Sequence, residues 1–191
     1  MNEIERQFRE SIAVKEKLLA QGGAETLGRM AEALTAAFKA GRAFYLFGNG
    51  GSAADCQHIA GEFVGRFMKE RRALPCVAFT TDTSVLTAIG NDYGYDTIFE
   101  RQVEALVRRG DVVLGVSTSG NSKNVNRAIL KAKAQGALAL AFSGRDGGEL
   151  ARLADICLVA PAQTSARIQE THIMAAHILC DLVERGVFPD A

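Results

Sequence analysis

The sequence predicts an α/β protein of three layers, a five-stranded parallel sheet between two layers of helices. Three observations carry that prediction. Five short runs along the chain are apolar at consecutive positions, as a strand covered on both faces requires. Stretches with helical periodicity separate them. At 191 residues the chain fits one domain, residues 1–191, large enough to bury roughly 70% of its unfolded surface.

In chain order, Ile4, Phe8, Ile12 and Leu19 fall on one face of an opening helix. A second helix over residues 26–39 repeats the pattern with Leu27, Met30, Leu34 and Phe38, and Gly41 stops it. Both precede the first strand, so residues 1–40 read as a helical extension. It either adds cover to one face of the same domain or packs against another subunit. The second reading is favoured, because the stripe from Ile4 to Leu19 would be a large exposed patch on a monomer. Strands are expected at 44–47, 76–79, 112–116, 138–142 and 156–159. A helix carrying His58 and Glu62 follows the first strand; others are expected at 98–109, 123–135 and 165–184. Sheets of this kind bind ligands at the carboxyl ends of their strands.

Composition excludes several classes. Lys plus Arg and Asp plus Glu each number 22, so the formal charge is zero and no basic stripe points to nucleic acid. The start, Met1-Asn2-Glu3-Ile4-Glu5-Arg6, is charged and lacks the apolar segment of a secretion signal. No apolar run approaches the roughly 20 residues that span a bilayer. A cytoplasmic protein without a membrane partner is expected. Cys56, Cys76, Cys157 and Cys180 are scattered, which suits buried reduced thiols rather than a disulfide frame.

Two strand–loop–helix units point to a phosphorylated small molecule. Ser117, Thr118, Ser119, Gly120, Asn121 and Ser122 follow an apolar strand and precede a helix. Such a loop presents hydroxyl and N–H donors at a positive helix end, and nothing in it is basic. Ser122 is placed to cap the helix and Ser119 is free to meet an anion. Earlier, Gly48-Asn49-Gly50-Gly51-Ser52-Ala53 also matches the dinucleotide fingerprint. The acidic residue expected roughly 20 positions on is missing, since Asp82 lies further away. Contact with a sugar or sugar phosphate therefore ranks first, a structural turn second and a nucleotide third.

His58 and Glu62, four apart, share a helical face, as metal ligands, an acid/base pair or a mere surface ion pair would. An isolated pair favours the surface reading. The Gly-rich loop directly before this helix places the pair near the pocket and favours the functional ones. The last helix carries Gln169, Glu170, His172 and His177. Gln169 and His177 lie about 80° apart around it, His172 and His177 about 140°. One pocket can see Gln169 with either histidine, and spacing does not choose between them.

Taken together, Gly48-Asn49-Gly50-Gly51-Ser52, His58…Glu62, Gly90-Asn91-Asp92, the 117–122 loop and Arg167-Ile168-Gln169-Glu170…His177 resemble the sedoheptulose-7-phosphate isomerase (phosphoheptose isomerase) family of sugar isomerase (SIS) domain proteins. The resemblance runs over nearly the whole chain. It implies a flavodoxin-like SIS fold, a homotetramer with sites near subunit interfaces, and heptose supply for bacterial surface polysaccharide such as lipopolysaccharide. It implies one zinc per site with His58, Glu62, Gln169 and His177 as ligands, which selects His177 over His172. Sugar contacts fall on Asn49, Gly50, Gly51, Asn91 and Asp92, and phosphate contacts on Ser117, Thr118, Ser119 and Ser122. Some family members have an acid where this chain has Ala166.

The implied reaction is ketose–aldose isomerisation through an enediol. Glu62 is the expected base and His177 the proton shuttle, while Glu62 and Gln169 also touch substrate. Two other classes compete. Residues 165–170 with Cys180-Asp181-Leu182 also resemble the DnaA initiator-associating protein, a non-enzymatic scaffold without counterparts of Glu62 and His177. A sugar-phosphate-binding module without turnover is the third.

Overall fold

Five parallel strands form one sheet in the order β2-β1-β3-β4-β5: β1 (Phe44–Gly48), β2 (Cys76–Ala78), β3 (Val112–Ser117), β4 (Leu138–Gly144) and β5 (Ile156–Ala160). The computed structural model describes residues 2–190; Met1, where the expected extension begins, and Ala191 lie outside the described residues. The order reverses between β1 and β3, which pair in register from Phe44↔Val112 to Gly48↔Val116. Loops after these two strands therefore emerge side by side at one edge, the place where open α/β sheets of this order bind ligands.

Alternation along the strands builds the two cores. Leu46, Leu114, Val116, Leu140 and Phe142 meet one helical layer: α2 (Gly23–Lys39), α3 (Gly51–Val64) and α8 (Ser165–Val187). Phe47, Val113, Ala139 and Ala141 meet the other: α5 (Glu100–Leu106), α6 (Lys123–Ala134) and α7 (Leu150–Leu153). Helix α1 (Glu3–Ala20) buries only Leu18, and Ile4, Phe8, Ile12 and Leu19 stand exposed. Helix α4 (Thr83–Tyr93), which the periodicity did not bring out, begins where the Asp82 carboxylate accepts the Val85 N–H at 2.9 Å.

Three expectations need correction. Not every apolar run is covered on both faces: β2 is an edge strand, and Val77 is 45% exposed. Helix α5 ends at Leu106 rather than at 109 because the Asp111 carboxylate takes the Arg108 N–H at 2.7 Å and the Ala43 N–H at 3.0 Å. Helix α2 starts at Gly23 rather than at 26, where the missing side chain admits Leu18.

Of the two histidines on α8, His172 is the packed one. It is 1% exposed and stacks on Phe142, ring centroids 5.5 Å apart. Its Nε2 lies 2.8 Å from the Ser143 carbonyl, which can only accept, so Nε2 carries the proton and Nδ1, left without a partner, does not. Burial pushes its pKa down to about 4, against the opposing pull of the Ser143 carbonyl. The unfolded chain binds this proton near pH 6.5 and the folded one only near 4, so stability is full above 6.5 and declines toward 4. The loss should reach the order of 3 kcal/mol. Denaturant unfolding of the parent and of His172→Phe at pH 7, 5.5 and 4 should show a steeper decline in the parent. Equal declines would assign the effect to other groups.

Candidate active site

The glycine loop after β1 is built to bring α3 close to α8. Gly50 adopts φ 55° and ψ −122°, a conformation other residues avoid. A side chain on Gly51 would run into the amide of Gln169, so the glycine there makes room for α8. Asn49 is held by its neighbours. Its Nδ2 donates to Asn124 Oδ1 and its Oδ1 accepts from Asn124 Nδ2, both at 2.9 Å, while the Tyr95 hydroxyl donates to the same Oδ1 at 2.9 Å. Asn124 is buried in the first turn of α6, so this amide pair ties the loop after β1 to the loop after β3.

In that second loop the hydroxyls of Ser117 and Ser122 lie 2.9 Å apart, and Ser119 Oγ stands 3.4 Å from Ser117 Oγ. Thr118 is half-buried beside them. Ser122 occupies the position before α6, but its hydroxyl makes no capping bond. The expected cap is therefore corrected: the Ser122 hydroxyl pairs with that of Ser117 instead. Ser119 is also less free than expected, since its Oγ accepts the Asn121 N–H at 3.2 Å. In the first turn of α6 the Val125 N–H is taken by Asn124 Oδ1 at 2.9 Å. The N–H groups of Lys123 and Asn124 have no carbonyl within the helix to meet, which leaves a positive end beside three hydroxyls.

Helices α3 and α8 run side by side in the same sense. Gly51 meets Gln169 near the start of the seam, and one turn pair further His58 meets His177. The two Nε2 atoms are 2.8 Å apart, and Glu62 Oε1 is 3.3 Å from His58 Nε2. Ligand atoms of His58, Glu62 and His177 all lie within 4.8 Å of one another, a group that can hold a metal ion. Two imidazole nitrogens and a carboxylate oxygen are a donor set that suits a borderline divalent cation. The cluster opens to solvent, with the His58 side chain 48% and that of Glu62 24% exposed. Phe67 stacks on the His177 ring at 5.9 Å between centroids. Gln169, eight residues before His177, sits about 12 Å back along α8.

Asp55, one turn before His58, was missed by the sequence reading. Its Oδ2 is buried without a hydrogen-bond partner, and burial raises its pKa although His58 pulls the other way. A carboxylate three residues before His58 was the available signal. Asn91 and Asp92 are exposed on the last turn of α4, and the Asn91 amide donates to Asp92 at 2.8 Å. Among the described residues no hydrogen bond joins them to the two loops; Tyr95, just beyond, makes that link. No helix of the described residues is long and apolar enough to cross a membrane. Cys56, Cys76, Cys157 and Cys180 are all free, and Cys157 is only half-buried.

Known proteins match this chain over most of its length. The SIS domain family matches residues 7–144. The phosphoheptose isomerase of Aquifex aeolicus (strain VF5) is 54% identical over 190 residues, covering 98% of this chain and 97% of that protein. The Clostridium acetobutylicum phosphoheptose isomerase is 51% identical over 188 residues, covering 98% and 96%. The solved structure of phosphoheptose isomerase GmhA from Neisseria gonorrhoeae matches with a TM-score of 0.89 at 43% identity, over 95% of this chain and 96% of that one. With so much of its length shared, the chain belongs to the phosphoheptose isomerase family of SIS domain proteins.

Proposed function

We propose that this aldose–ketose isomerase converts sedoheptulose 7-phosphate to D-glycero-D-manno-heptose 7-phosphate in the cytoplasm, supplying heptose for bacterial surface polysaccharide. The observation that carries the reading is the convergence of His58, Glu62 and His177 on the seam that begins at the glycine loop. Residues 1–191 act as a single SIS domain. The exposed apolar stripe of α1 supports a homo-oligomer, and we propose a tetramer.

The hydroxyls of Ser117, Thr118, Ser119 and Ser122, with the first N–H groups of α6, hold the phosphate. Asn49, Gly50, Gly51, Asn91, Asp92 and Gln169 contact the sugar. Holding both ends limits the motion of C1 and C2 relative to the reacting groups. Glu62 takes the proton from C1 and returns it to C2 on the same face of the enediol. His177, when its nitrogen is not ligating the metal, moves the hydroxyl proton from O1 to O2. Zinc, held by His58, Glu62 and His177 with Gln169 as a further oxygen donor, would supply Lewis-acid polarisation of the carbonyl.

Turnover of sedoheptulose 7-phosphate, followed as aldose formation, tests the reading. The purified chain should carry about one zinc per site, lose activity on chelation and regain it with zinc. Glu62→Gln should lower kcat by about 10²–10⁴-fold while fold and oligomer persist. Full activity in a verified metal-free preparation would remove the metal from the account, and near-normal kcat in Glu62→Gln would place the base elsewhere.

Ser119→Ala and Ser122→Ala test the phosphate loop. Each should remove a hydrogen bond to a charged group, on the order of 1.5–3 kcal/mol, read mainly as a higher KM. Ser122 makes no capping bond but meets the hydroxyl of buried Ser117 at 2.9 Å. Ser122→Ala should therefore lower stability by about one hydrogen bond, ~0.5–1.5 kcal/mol, read as a lower melting temperature. Parent-like KM in both variants would show that the phosphate binds elsewhere.

A further inference from the structure

Glu184 is 1% exposed on α8, seven residues after His177. Its Oε1 accepts from the Phe67 N–H at 3.1 Å and from Arg71 Nε at 2.8 Å. Its Oε2 accepts from the Met68 N–H at 2.7 Å and the Lys69 N–H at 2.8 Å. Arg71, whose side chain is 1% exposed, turns its remaining nitrogens to the end of α3. Nη2 donates to the Glu62 carbonyl at 2.8 Å, and Nη1 to those of Phe63 at 2.9 Å and Gly65 at 3.2 Å.

One ion pair thereby holds three things together. The last carbonyls of α3, which have no partner within the helix, are met by a cation at the negative end of the helix dipole. The loop 65–70 is threaded by three N–H groups onto a carboxylate of α8. That loop carries Phe67, whose ring lies against the His177 imidazole. So the backbone of Glu62 and one face of His177 are both fixed to α8 through Glu184. A buried ion pair adds little net stability compared with apolar packing of the same volume. Apolar side chains, though, could not satisfy three loop N–H groups and three helix-end carbonyls at once.

We propose that Arg71 and Glu184 are positioning residues for the candidate metal site, setting the approach of Glu62 and His177 to the ion. The proposal rests on reading His58, Glu62 and His177 as that site. It is specific about the arginine. A lysine at position 71 can keep a charge facing Glu184, but it cannot reach the Glu62 and Phe63 carbonyls with the same planar fork. Glu184→Gln is not conservative either, because its new NH₂ would face N–H donors whichever way the amide turned.

The test uses the full chain, stripped of metal and titrated with Co²⁺, whose visible absorption reports ligand number and symmetry. The parent should bind Co²⁺, and His58→Ala should abolish or greatly weaken that binding. Arg71→Lys, checked by circular dichroism and oligomeric state, should bind Co²⁺ about 10- to 100-fold more weakly, with shifted absorption bands. Phe67→Leu, which leaves every hydrogen bond to Glu184 in place, should also shift the bands, and it carries the test if Arg71→Lys does not fold. Folded variants that match the parent in Co²⁺ affinity and spectrum would overturn the positioning role while leaving the site intact, even if their melting temperatures fell. Binding in His58→Ala equal to the parent's would instead overturn the metal site, and the positioning role with it.

Discussion

The parallel pairing of β1 with β3 is the constraint on which the rest depends. It fixes five residue pairs in register and ends with Gly48 beside Val116. Because neighbours of this pair lie on opposite sides, the helices that follow β1 and β3 diverge to opposite faces of the sheet. A crevice opens between their first turns. The amide pair of Asn49 and Asn124 continues the ladder one step beyond the strands, using side chains where backbone pairing stops. Both loops are thereby held at one spacing, and a phosphorylated sugar lying across them would meet a pre-set distance.

The proposed division of labour follows from what each loop offers. The loop after β3 gives hydroxyls and a helix end with no fixed positive side chain, so it favours an anion through dipoles. The seam between α3 and α8 gives ionisable and metal-binding groups. His58 lies about 10 Å along α3 from Gly51, so the proposed phosphate binding and proton transfer would be served by separate groups on a connected frame. Binding at the phosphate end can then orient the reacting end without perturbing its protonation.

Much of this was legible in the sequence. Five apolar runs marked five strands, because central parallel strands are covered on both faces and cannot hide that signature. The edge position of β2 was not legible: three apolar residues look alike whether or not a neighbour covers them. Nor was the early end of α5, which depends on Asp111 reaching back to Arg108. Spacing left His172 and His177 undecided, and packing separates them: one lies under Phe142 and the Ser143 carbonyl, the other against His58. Asn124, Tyr95 and the Arg71–Glu184 pair escaped notice for one reason. Their partners are distant in sequence, and a polar residue gives no sign of which distant group it will meet. Ser122 shows the opposite failure, where a strong local preference for capping yields to a nearer hydroxyl on Ser117.

In the proposed mode of binding, one sugar phosphate spans the two loops and the seam. A crystal structure of the zinc-loaded Glu62→Gln chain with sedoheptulose 7-phosphate tests it most directly. The phosphate should lie among the hydroxyls of Ser117, Thr118, Ser119 and Ser122, with C1 and C2 beside the side chain at position 62 and His177. A phosphate bound away from that loop, or a reacting end remote from the seam, would contradict it.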